Sequence, residues 1–86
     1  MNINELIAIV KNKLEKEITI QDLIIEDKSF LHKNHKGHQE GKFHLKLTIK
    51  SDELAKSSKV ISTKRVYNIL HLELKEHIHS IQILLN

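Results

Sequence analysis

The chain has 86 residues, 40% hydrophobic and 29% charged, with a formal net charge of +3, which is enough for one hydrophobic core and a single domain over residues 1–86. It contains no cysteine, so disulfides, thiolate metal sites and cysteine nucleophiles are excluded as contributions of this chain alone. No apolar run approaches the roughly 18 residues of a membrane span. The N-terminus lacks the basic region, apolar core and cleavage site of a signal peptide, so a cytoplasmic protein is expected.

Ile3, Leu6, Ile7, Val10 and Leu14 recur at helical spacing, with Glu5, Lys11, Lys13 and Glu15 on the other side, which predicts a helix over about 3–16. Asn2 followed by Glu5 has the form of a capping box with Asn at the cap. A short β-branched run at Leu23-Ile24-Ile25 predicts a strand over about 22–29. After a stretch holding both glycines, Phe43, Leu45, Leu47 and Ile49 alternate with His44, Lys46, Thr48 and Lys50, a half-buried strand. These two strands are expected to pair as an antiparallel hairpin. Its connection of about a dozen residues is long for a hairpin, and loops of that length are usually functional or mobile.

Ser57 and Ser58 are candidate caps of a second helix. Its inward positions are expected to be Ile61, Val66, Tyr67, Ile69, Leu70 and Leu74, with an end near Lys75 to His77. A third strand follows from the alternation of Ile81, Ile83 and Leu85 with Ser80, Gln82 and Leu84. A crossover containing a helix joins parallel strands. The expected fold class is therefore α+β, in the order α-β-β-α-β, with helices on one face of a three-stranded mixed sheet.

The connection carries His32, His35 and His38, and His44 opens the second strand. With strand one antiparallel to strand two and strand two parallel to strand three, one edge of the sheet gathers the end of strand one and the starts of the other two. Histidines from the connection and His79 then converge there. His79 shares the parity of Ile81 and Ile83 and is expected to begin on the inward face. His44 has the opposite parity and reads as a surface or supporting residue.

Ile25-Glu26-Asp27-Lys28-Ser29, His32, Phe43-His44-Leu45, Ser51-Asp52, Lys64-Arg65-Val66-Tyr67 and Ile78-His79-Ser80-Ile81 form an ordered set that resembles the BolA-like family over nearly the whole chain. The resemblance implies a class II KH-like fold and partnership with a monothiol glutaredoxin. In that heterodimer the glutaredoxin cysteine and glutathione supply thiolates to a [2Fe-2S] cluster and the BolA-like protein supplies histidine. The family's C-terminal histidine falls on His79 and its loop ligand on His32, with His35 and His38 as lesser candidates. Alone, the chain is expected to be a monomer that binds no cluster. The chemistry agrees with a chain lacking cysteine, because two imidazoles replace two thiolates on one iron in Rieske centres. The usual Arg-His-Arg of the second helix reads Thr63-Lys64-Arg65 here, and the tail after the third strand stops at Asn86.

Bacterial members of the family are also described as DNA-binding transcriptional regulators linked to stress and cell shape, which makes DNA the alternative partner. Lys56, Lys59, Lys64 and Arg65 are the residues such binding would use, although they read most simply as a solvated helix face. A KH clamp needs a Gly-x-x-Gly loop, and residues 51–58, SDELAKSS, contain no glycine. His71 and His77 read as helix surface and helix C-terminus, where a cation is favoured. No catalytic triad, phosphate loop or carboxylate pair stands out, so a non-enzymatic protein is expected.

Overall fold

Helix α1 spans Ile3–Glu17 and buries Leu6, Val10 and Leu14, one apolar stripe at i, i+4 and i+8. Its start is fixed as the sequence predicts. Asn2 Oδ1 accepts from Glu5 N at 2.8 Å, and Asn2 Nδ2 donates to Glu5 Oε1 at 2.9 Å, satisfying a donor that the first turn leaves open. The computed structural model describes residues 1–29 and 42–86. His32, His35 and His38 lie outside the described residues.

Strand β1 (Asp22–Asp27), β2 (Phe43–Lys50) and β3 (Ile78–Leu85) form one sheet in the order β1-β2-β3. β1 is antiparallel to β2, and β2 is parallel to β3, the mixed topology expected from the sequence. Leu23, Ile25, Leu45, Leu47, Ile49, Ile81, Ile83 and Leu85 pack on the core side. The period of two sends Ile24, His44, Lys46, Thr48, Gln82 and Leu84 to the opposite, open side.

The crossover differs from the expected single helix. It contains α2 (Asp52–Ala55), α3 (Lys59–Ile69) and α4 (His71–Glu76). Ser51 caps α2 and Ser58 caps α3, each accepting from the backbone N–H three residues on. The break at Leu70 involves no glycine or proline. Leu70 is fully buried and serves as both the C-cap of α3 and the N-cap of α4.

The inward face of the crossover helices α3 and α4 also departs from the expected one. Ile61 and Tyr67 are 58% and 39% exposed, whereas Ser62 and Glu73 are buried with Val66 and Leu70. Counting apolar residues missed two polar members of the stripe whose hydrogen bonds offset burial. Ser62 Oγ donates to Leu54 O at 2.8 Å, and its small side chain lets α2 and α3 approach. Lys13 Nζ donates to Glu73 Oε2 at 2.7 Å, joining α1 to α4.

Candidate functional site

The end of β1 and the starts of β2 and β3 meet at one end of the sheet, as the topology required. Asp27 pairs with Leu45, and Phe43 pairs with Ile78. Beyond the last β1 rung, Lys28 N donates to His44 O at 2.7 Å. Ser29 then closes the corner. Its N–H donates to Asp27 Oδ1 at 2.9 Å, and its Oγ accepts from His44 N at 3.1 Å. The histidine-bearing connection therefore departs from, and returns to, this end.

The register shifts between Phe43, which pairs with Ile78, and His44, which pairs with Ser80. His79 is the residue left over. An extra residue of this kind is a β-bulge, which re-aims the side chains around it. Ile78 is thereby buried in the core at 2% exposure, His79 is exposed, and Ile81 returns to the core side. The expectation that His79 begins on the inward face is corrected: strict alternation counted back from Ile81 does not survive a bulge. An exposed imidazole at an ordered strand start is open to a ligand brought by another molecule.

His44 lies on the open side, as its parity requires, but it is not a surface residue: only 5% of it is exposed. Its Nδ1 is hydrogen-bonded to Ser80 Oγ at 2.6 Å, the donor depending on the tautomer. The His44 and His79 rings are 5.0 Å apart between centroids and inclined at 54°. A buried, hydrogen-bonded imidazole thus packs against the exposed one. Parity could not reveal this cluster, because the Ser80–His44 pairing exists only in the bulged register. Among the described residues, no three His, Asp or Glu side chains group as a metal site.

The other predicted residues lie on the crossover. Arg65 is a clamp rather than a free cation. Its Nη2 donates to Glu17 O at 2.9 Å and pairs with Glu53 Oε2 at 2.6 Å. Glu53 Oε1 also accepts from Thr19 N at 3.1 Å. That backbone hydrogen bond, followed by the Arg65 guanidinium, holds the Glu53 carboxyl below its ordinary value. Lys56, Lys59 and Lys64 are exposed. His71 is exposed at the start of α4, and His77 is the half-buried residue following its last turn.

A model of the BolA-like protein family matches residues 14–86. The chain belongs to the BolA-like family. It is 32% identical over 75 residues to a Haemophilus influenzae protein named DNA-binding transcriptional regulator BolA, covering 87% of this chain and 70% of that protein. It is 33% identical over 79 residues to SufE-like protein 1, chloroplastic/mitochondrial, of Arabidopsis thaliana. That match covers 86% of this chain but only 21% of the relative's length. Among solved structures, BolA1 from Arabidopsis thaliana superposes with a TM-score of 0.78 at 28% identity, covering 92% of this chain and 87% of that one. The BolA domain of SufE1 from the same plant gives 0.76 at 30% identity, covering 100% and 93%. The α+β architecture read from the sequence is thus a BolA fold. No helix among the described residues is long and apolar enough to cross a membrane.

Proposed function

We propose that this BolA-like chain is a non-enzymatic partner protein of the cytoplasm that supplies imidazole to a [2Fe-2S] cluster shared with a monothiol glutaredoxin and glutathione, in cluster trafficking or in iron and redox regulation. The observation that supports this most is the bulge, which exposes His79 at the strand start while the buried His44 ring packs 5.0 Å from it. A shared site needs a donor that is accessible yet positioned, and an exposed imidazole on an ordered strand has both properties. With no cysteine in the sequence, this chain brings nitrogen donors and the partner brings sulfur. His79 is the ordered ligand of the reading and His32 the second, with His35 and His38 as substitutes. The cluster, when bound, supplies the redox and transfer chemistry. This chain's part is to present the donor and exclude wrong geometries.

Co-expression with a monothiol glutaredoxin, followed by visible absorption of the purified complex, tests the proposal. A coloured one-to-one heterodimer is expected. A cluster-bearing homodimer of this chain alone would contradict it.

The name of the Haemophilus relative favours a second reading, DNA binding. Here Arg65 is occupied by Glu53 and the Glu17 carbonyl, which leaves Lys56, Lys59 and Lys64 as the available cations of the predicted set. Contacts of that kind are non-specific and steeply salt-dependent. A sequence-specific footprint that survives physiological salt would place this reading first.

A further inference from the structure

Helix α3 turns toward solvent side chains of a kind usually buried. Val60 is 64%, Ile61 58% and Tyr67 39% exposed. Val60, Lys64 and Tyr67 stand at i, i+4 and i+7 on one side of the helix, and Ile61, three residues before Lys64, borders that side. Lys59, Val60, Thr63, Lys64 and Tyr67 line an open groove of about 360 Å³. The charge along it has one sign. The α3 sequence KVISTKRVYNI contains no acidic residue, and the groove lysines make no ion pair among the described residues, whereas Arg65 is turned away to Glu53. The helix therefore carries an apolar crest edged by available ammonium groups.

We propose that the Val60–Lys64–Tyr67 face of α3 docks an acidic amphipathic segment of a partner protein. Its apolar side chains would cover Val60, Ile61 and Tyr67, and its carboxylates would meet Lys59 and Lys64. Laying an amphipathic helix along such a face is a recurring recognition mode. Charge complementarity selects an acidic occupant and governs its rate of arrival. The aliphatic content argues for a protein segment over a nucleic acid strand. A strand needs a series of aromatic platforms, and Tyr67 is the one aromatic on α3, so Val60 and Ile61 would be left facing water. The surface shares no residue with the histidine end of the sheet, and the proposal does not depend on the cluster.

Tyr67 is the only tyrosine and there is no tryptophan, so its emission reports on this groove without a label. The full chain is titrated with a synthetic helical peptide of Leu and Glu at amphipathic spacing. Parallel titrations use the same peptide with Lys in place of Glu, a single-stranded oligonucleotide and an anionic lipid vesicle. The acidic peptide is expected to change Tyr67 emission saturably. Affinity should fall about tenfold or more when Lys59→Glu and Lys64→Glu are combined, and fall again with Val60→Ser; the lysine peptide should not bind. The absence of a saturable change with the acidic peptide would overturn the proposal. So would tighter binding of the oligonucleotide or the vesicle, or an unchanged affinity in the charge-reversed protein. Should that protein fail to fold by circular dichroism, Val60→Ser alone decides, and an unchanged affinity there refutes the docking face.

Discussion

Lys13 and Glu73 connect the first helix to the short helix that leads into β3, so their pairing bears on how the His79 end is aimed. The two charges are 2.7 Å apart, with side-chain exposures of 36% and 9%. Glu73 Oε1 has no hydrogen-bond partner among the described residues, which makes Lys13 the main compensation for a buried carboxylate. Lys13→Met keeps the apolar stem and removes only the cation. Breaking a fully buried pair in this way costs about 3–5 kcal/mol, but a third of the Lys13 side chain is in water, which reduces the expected loss to about 1–3 kcal/mol. For a domain of this size the urea dependence is about 1 kcal/mol per molar, so the midpoint should fall by about 1–3 M. Urea unfolding followed by circular dichroism measures it. Replacing both partners, Lys13→Met with Glu73→Leu, should recover stability to within about 1 kcal/mol of the original, because no uncompensated charge is left behind. A Lys13→Met loss under about 0.5 kcal/mol, or a double variant less stable than Lys13→Met alone, would refute the reasoning.

Three further outcomes are expected. Ser62→Val should destabilise by about 1–3 kcal/mol through overpacking and a lost bond to Leu54 O, while Ile61→Lys one residue away should stay within about 0.5 kcal/mol; thermal melts of both check the corrected helix face, and the reverse order would restore the original one. The folded chain holds the Glu53 carboxyl below its ordinary value, so its stabilising contribution is present above the unfolded value and fades as pH falls through the folded one; Glu53→Gln should therefore flatten the acid side of the stability profile, below about pH 4–5, and an unchanged profile would contradict the Thr19–Glu53–Arg65 clamp. His32→Ala should weaken or shift the visible band of the shared cluster without abolishing it, since His35 and His38 are close in sequence; complete loss in reconstitution with glutaredoxin would make His32 irreplaceable.

Much of the fold was legible because apolar periodicity is unambiguous in α1 and β2, and because the crossover between parallel strands leaves few topologies. The inward face of α3 and α4 was not, since Ser62 and Glu73 are buried on the strength of partners in α2 and α1 that are distant in sequence. The helix break at Leu70 left no sequence mark, because neither glycine nor proline stands there. At the site, the convergence of the strand ends followed from topology alone. The orientation of His79 did not, because a bulge inverts alternation and depends on cross-strand register rather than on local sequence. The Ser80–His44 hydrogen bond and the His44–His79 contact arise from that same register.

The central claim, that His79 is the ordered imidazole this chain contributes to a shared cluster, is tested most directly by one comparison. Visible absorption and circular dichroism are recorded for the wild-type chain and for His79→Ala, each reconstituted with a monothiol glutaredoxin and glutathione. The wild-type complex should show the cluster spectrum. His79→Ala should lose it while its far-ultraviolet spectrum and melting stay close to wild type, because an exposed residue on a bulge contributes little to the core. A His79→Ala complex with a wild-type cluster spectrum would contradict the assignment.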